Sequence, residues 1–437
     1  MSFAGTLNVR EFINSRPLSR NQWILVALCF LIVAVDGMDV AIMGFIAPSI
    51  ISEWHISRPA FGLVMGAAPI GLALGALIAG SSSDWIGRRK VLLASVFAFG
   101  TMTIATAYAD NTSSMALLRL LTGLGLGAAM PNTTTLLSEY VPERRRAFLV
   151  AAMFTGFNLG SAVIGFIAAA LIPVHGWQSV LIFGGVVPLL MFPVLYFFLP
   201  ESAKFMVVRE HAVAHVRKVL GKVSGSDLQG VQSFESGEVN TGAKQPIAVI
   251  FKPGFRFQTI ALWTTYFMGL LVIYLTTSWM PTMIKDAGLP IEKAANVTAM
   301  FQLGGTLGAL LVGWLMDKLQ PNKVIAVSYL IGAVFLIALA HEGLTSESLA
   351  LLVFLVGFCL SGSQTGLNGY APGCYPTFSR ATGVSWMLGV GRLGSILGSS
   401  IGGVLLAMGW GFSGVFTALA IPATLAAMAI FLSARKS

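Results

Sequence analysis

Apolar stretches long enough to cross a bilayer recur along this chain. A helix needs about 20 residues to span roughly 30 Å of hydrocarbon at about 1.5 Å per residue. On that ruler, runs beginning near Trp23, Pro59, Val91, Ser114, Ala147 and Ser179 predict six crossings. Runs beginning near Gln258, Ala294, Lys323, Leu349, Ala381 and Gly411 predict six more. Brief polar or turn-forming segments separate most of them. One long polar interruption follows Leu199, with charges from Lys204 to Arg256. Its first part, Ala203 to Leu220, mixes bulky apolar and charged residues as an amphipathic helix on a membrane surface does; the Gly-, Ser- and Asn-containing remainder is expected to be flexible. The predicted organisation is a cytoplasmic N-terminal segment (1–22), a six-helix half (23–199), a cytoplasmic central loop (200–257), a second six-helix half (258–432) and a cytoplasmic tail (433–437). The fold class is all-α, with twelve transmembrane helices in two halves.

Composition agrees with that pattern. Of 437 residues, 56% are hydrophobic and 10% charged, against roughly 25% charged in soluble domains. The net charge of +9 first suggests nucleic acid as a partner, but the positions of the bases decide otherwise. If the N-terminus is cytoplasmic, 22 of the 27 Lys and Arg fall on the cytoplasmic side, and only Arg58, Lys285 and Lys293 fall outside. That bias predicts both termini inside and accounts for the charge without nucleic acid. The stretch before Trp23 carries Arg10, Glu11, Arg16 and Arg20 and no cleavage pattern, so the first span is expected to be retained. Cys29, Cys359 and Cys374 have no metal-ligand or disulfide spacing and read as packing residues. The histidines form no cluster, and no nucleophile, base and electrophilic partner share a spacing, so neither an enzyme, a cofactor nor a metal is expected.

Charges inside the spans carry the candidate chemistry. Asp36-Gly37-Met38-Asp39 interrupts the first span near mid-membrane, where ionisable groups are costly and functional by default. Three residues apart, the two acids sit on one broad helix face with about 4.5 Å of axial rise between them. They are candidate proton-coupling residues, or else an interhelical polar lock. Arg119, early in the fourth span and followed by Gly123, Gly125 and Gly127, either pairs with an acid or organises a gate. Arg392 lies near the middle of the eleventh span among small residues, and a permanent guanidinium there requires a partner. Two readings stand: it holds a substrate carboxylate with paired N–H groups, or it pairs with Asp36 or Asp39 in a conformational role. Asn158 and Gln302 are the amides best placed to read a ring hydroxyl. For Trp263, Tyr266, Tyr274, Trp279, Phe301, Gln364, Asn368 and Tyr370, helix packing is the stronger explanation in most cases.

The loops repeat a weaker signal. Gly80, Asp84, Gly87, Arg88 and Arg89 follow the second span, and Gly313, Asp317 and Lys318 follow the eighth, which favours duplicated halves around a central path. Asp84 reads either as a gate residue or as a solvated ion pair. Glu139 stands at the cytoplasmic exit of the fourth span, ahead of the basic run Arg144 to Arg146.

With Arg119 to Gly127, Pro142-Glu143-Arg144, Pro200-Glu201-Ser202, Asp317-Lys318 and Arg380 to Trp386, these motifs resemble the major facilitator superfamily, specifically its aromatic acid:proton symporter family, which includes 4-hydroxybenzoate/protocatechuate transporters. The resemblance covers nearly the whole chain. It implies a major facilitator fold and uptake of an aromatic carboxylate with a proton through a bacterial inner membrane. Membrane lipids are the other partners expected, and a functional monomer suffices for such a bundle. It places Asp36 and Asp39 in proton coupling and translocation, and Asp84, Arg88 and Asp317 in gate motifs. It aligns Arg119, Glu139, Arg380 and Arg392 with residues important to transport. Two departures stand out: Asn322 replaces a family-associated histidine, and Leu367 to Pro372 differs from the usual hydroxybenzoate pattern, which points to a different ring-substitution preference. A proton-driven drug exporter and a non-transporting membrane receptor or scaffold are the competing readings.

Overall fold

The computed structural model describes residues 5–433 apart from 210–211, 227, 236–249, 253, 342, 344 and 376, and leaves undescribed the side chains of 79–81, 84, 147 and 377–382. Among the described residues, twelve helices are long and apolar enough to cross a membrane. In the first half these are α1 (Arg20–Trp54), α2 (Arg58–Ile86), α3 (Arg88–Thr106), α4 (Thr112–Tyr140), α5 (Glu143–His175) and α6 (Trp177–Phe198). In the second half they are α7 (Arg256–Asp286), α8 (Ile291–Lys318), α9 (Pro321–Leu339), α10 (Ser346–Tyr370), α11 (Thr377–Ala407) and α12 (Phe412–Ser433). Most begin a few residues before the apolar run, because a polar first turn can be helical at the membrane edge if it is capped. Ser19 and Gln22 do this reciprocally at α1, and Asn111 and Thr345 cap α4 and α10.

Large apolar side chains point away from the bundle, among them Leu63 at 73%, Leu77 at 74% and Leu190 at 72% exposure. A continuous apolar exterior of this kind suits hydrocarbon and not water.

The two halves repeat one packing scheme. Helix α1 packs on α5, α2 on α4 and α3 on α6; correspondingly, α7 packs on α11, α8 on α10 and α9 on α12. Close backbone approach underlies the tightest pairs. A Cβ at Gly123 or Gly127 would enter the backbone carbonyls of Ala68 and Leu72, and at Gly304 or Gly308 those of Phe354 and Phe358. Small residues at such crossings let helices pack without the water-driven force that operates in soluble cores. The halves then meet along two seams, α5 with α8 and α2 with α11, with α1 against α7 between them.

On the face carrying Arg58, a polar closure joins the halves. Arg58 Nη2 lies 2.5 Å from Asp286 Oδ2, and Lys285 Nζ donates to the Pro48 carbonyl at 3.4 Å. The central connection differs from the sequence expectation in two ways. The predicted single amphipathic helix is two short ones, Ala203–Val208 and Val213–Ser224, and the apolar positions Val216, Leu220 and Val223 are buried in the protein. Part of the stretch expected to be flexible, Val231–Glu235, forms a strand that pairs in parallel with Gly5–Asn8. The N-terminal segment and the central connection therefore lie on the same face. The Arg10–Glu143 ion pair and the buried Val9, Phe12 and Ile13 hold them against the first half.

Candidate functional site

The two aspartates of α1 lie where this helix crosses α5 most closely. A Cβ on Gly37 would overlap the Phe157 carbonyl, and Ser161 Oγ donates to the Gly37 carbonyl at 2.7 Å. Glycine between the acids thus allows both carboxylates to be withdrawn from lipid.

Their surroundings differ sharply. Asp39 receives Arg119 Nη2 at 2.8 Å and Nη1 at 3.2 Å on its two oxygens, and Thr103 Oγ1 also donates to it. Arg119 reaches the Asp39 backbone carbonyl at 3.3 Å as well, and both side chains of the ion pair are 0% exposed. This forked arrangement satisfies the carboxylate entirely from within the first half. Asp36 is 1% exposed, and its Oδ1 has no hydrogen-bond partner among the described residues. Its charged neighbours are Arg392 on α11 of the other half, and Asp39. Of the two acids the sequence offered Arg392 as partners, Asp39 is paired with Arg119, and among the described residues neither makes an ion pair with Arg392.

Arg392 is half-buried and makes no ion pair among the described residues. The Tyr274 hydroxyl adjoins its guanidinium, and Tyr266 lies near it and against Gln364 and Asn368. The Tyr266 ring packs onto the backbone of Gly391, where a Cβ would overlap it, so the residue before Arg392 has to be small. Behind this group, Tyr329 Oη donates to Gln364 Oε1 at 2.6 Å. The result is a mid-membrane seam with one acid and one guanidinium in opposite halves, bordered by two tyrosines.

Asn158 meets the second half elsewhere on the seam. Asn158 on α5 faces Gly305 of α8 and Ser361 of α10, and Gln302 lies three residues before Gly305. At the face of the central connection, Arg88 Nε lies 3.3 Å from Glu139 Oε1, with Ser202 accepting from Arg88 and donating to Glu139. The Pro200-Glu201-Ser202 motif thus closes under the start of α3 and the end of α4, and Tyr140 Oη donates to the Glu201 carbonyl at 2.5 Å. The side chains of Asp84 and Arg380 lie outside the described residues. Asp317 is exposed, and the described residues offer it no hydrogen bond or ion pair; its neighbour Lys318 places Nζ 3.9 Å from the centre of the Trp314 ring.

Sequence reasoning missed Thr103 and Ser361 as partners in these clusters. A hydroxyl on an apolar helix usually bonds its own backbone four residues back, so such residues carry no signal in the sequence.

Two six-helix bundles packed alike around a polar seam are the architecture of a membrane transporter. The Major Facilitator Superfamily model matches residues 29–369 and 294–437, and the chain belongs to that family. It is 51% identical to a gallate transporter of Pseudomonas putida, over 97% of this chain and 94% of that one. It is 50% identical to the 4-hydroxybenzoate transporter PcaK of Pseudomonas aeruginosa, over 98% of this chain and 95% of that one. Among solved structures, a D-xylose-proton symporter superposes with a TM-score of 0.72 at 17% identity, covering 94% of this chain and 97% of the other, which speaks to the fold.

Proposed function

We propose that this protein carries an aromatic carboxylate of the hydroxybenzoate type into the cell together with a proton, by alternating access through a bacterial inner membrane. The observation that supports the reading best is the pair of opposed, unbridged charges: Asp36 in one half and Arg392 in the other. The similarity to gallate and 4-hydroxybenzoate transporters supports the substrate class.

The coupling follows from charge balance. One guanidinium neutralises one carboxylate. In the empty seam, Arg392 balances ionised Asp36. When Asp36 takes a proton, Arg392 is released to hold the substrate carboxylate through two N–H groups. Both states are neutral. A seam with substrate alone carries one excess negative charge, and one with a proton alone carries one excess positive charge. An uncompensated charge that must be enclosed costs several kcal/mol, so the halves exchange freely only when the seam is empty or doubly loaded. Asp39, locked to Arg119 and Thr103, is then the fixed partner that holds α1 to α4, and Asp36 is the proton carrier. Asp84, Arg88, Glu139, Asp317 and Arg380 belong to the gate on the central-connection face. With that face cytoplasmic, as the basic loops favour, both termini are inside and the Arg58–Asp286 closure is the outer one.

The test is counterflow in proteoliposomes preloaded with 4-hydroxybenzoate, with benzoate, protocatechuate, gallate, vanillate and aliphatic dicarboxylates outside. Exchange confined to the aromatic monocarboxylates is expected. Exchange of dicarboxylates alone, or of none of these acids, would refute the assignment.

A further inference from the structure

We propose that Ser361, with Asn158 and Gln302, forms a subsite that reads a ring hydroxyl of the substrate, kept open by Gly305; this rests on the aromatic-carboxylate reading above. Both halves supply it: Asn158 from α5, Gln302 and Gly305 from α8, and Ser361 from α10. The Ser361 and Asn158 side chains converge at Gly305. A Cβ added there would lie 2.7 Å from Ser361 Oγ and 3.3 Å from Asn158 Nδ2. Gln302, one helical turn earlier, shares that face of α8.

All three polar residues are more than nine-tenths buried, with 8, 5 and 6% exposure for Asn158, Gln302 and Ser361. Their hydrogen-bonding capacity is nevertheless almost unused. Ser361 Oγ reaches Asn158 Oδ1 only at 3.5 Å, the outer limit of such a bond, and the Gln302 amide has no partner among the described residues. Neighbouring hydroxyls behave otherwise. On α10, Ser363 and Thr365 donate to the carbonyls four residues back at 2.7 and 3.0 Å, and on α8 Thr298 does so at 2.9 Å. Polar groups that stay unpaired in the membrane interior while their neighbours are satisfied point to a ligand that completes them.

The chemistry of the set names the ligand group. Two amides and a hydroxyl offer donors and acceptors but no charge. They suit a neutral phenolic hydroxyl, which both donates and accepts, and do not suit a second carboxylate. The position fits as well. Phe157 touches Gly37, so Asn158 stands at the depth of Asp36. The subsite lies on the α5–α8 seam, whereas Arg392 belongs to α11, which forms the other seam with α2. A ligand anchored by its carboxylate at Arg392 would present a hydroxyl on the far side of its ring to Asn158, Gln302 and Ser361.

The experiment compares wild type, Ser361→Ala and Gly305→Ala in proteoliposomes, using labelled 4-hydroxybenzoate for uptake and unlabelled benzoate as competitor. Losing one neutral hydrogen bond corresponds to about a five- to tenfold change. Ser361→Ala is therefore expected to raise the KM for 4-hydroxybenzoate about that much while leaving inhibition by benzoate unchanged. Gly305→Ala, which fills the subsite, is expected to act in the same direction. If Ser361→Ala weakens both acids equally, or neither, the subsite is refuted while aromatic uptake stands. If the wild type carries no aromatic acid, the functional reading falls as well.

Discussion

The contrast between the two aspartates of α1 makes a sharp prediction for Asp39→Asn beside Asp36→Asn. The substitution at Asp39 removes the charge that faces Arg119 at 2.8 and 3.2 Å, with both side chains 0% exposed. The guanidinium is left buried with only neutral partners, a change that typically costs about 3–5 kcal/mol. Asp36→Asn removes no ion pair and substitutes a group of the same shape whose Oδ1 had no partner, so its cost is expected to stay below about 1 kcal/mol. Purified variants heated in detergent should therefore separate clearly: Asp39→Asn melts many degrees below wild type, and Asp36→Asn melts close to it. Transport separates them in another way. Asp36→Asn is expected to retain counterflow and lose accumulation driven by a pH gradient, because it keeps the substrate anchor and loses the exchangeable proton. Adding Arg119→Gln to Asp39→Asn should recover most of the lost stability, since removing both charges leaves none uncompensated. Equal melting of the two single variants, or pH-driven accumulation surviving in Asp36→Asn, would refute the division of roles.

Further expectations follow from the same geometry. Arg392→Gln should abolish uptake of monocarboxylates without lowering the melting temperature by more than a few degrees, since no described ion pair is broken; preserved uptake with normal KM would remove Arg392 as the anchor. Gly37→Ala forces a Cβ into the Phe157 carbonyl and should destabilise by about 1–3 kcal/mol, read as a lower detergent melting temperature. Removing the Arg58–Asp286 bridge by Arg58→Gln should increase labelling of a cysteine placed at Tyr274 from the outer side, because a closure between the halves is weakened; unchanged labelling would show that the bridge plays no part in closing that face.

The crossings and the duplication could be read from the chain because hydrocarbon imposes a length and a composition on every span. The acids and arginines inside spans were legible for the same reason. Pairing was not legible. Asp36 and Asp39 are equivalent in the sequence, and their difference arises because Thr103 of α3 and Arg119 of α4 reach Asp39. Gln302 and Asn158 could be proposed as polar-site residues, but Ser361 looks like any serine of an apolar helix until its missing backbone bond is seen beside those of Ser363 and Thr365. The strand Val231–Glu235 escaped notice because its partner, Gly5–Asn8, lies more than two hundred residues away. Short polar segments show no periodicity that would reveal such a pairing.

The central claim, one proton carried with each monovalent aromatic acid, is tested most directly by uptake of labelled 4-hydroxybenzoate into proteoliposomes under a pH step alone and under a voltage alone. One proton and one monoanion move no net charge, and only charge movement couples to membrane potential. Accumulation with the pH step, acid outside, and none with an inside-negative voltage is the predicted result. Accumulation driven by voltage, or indifference to the pH step, would contradict it.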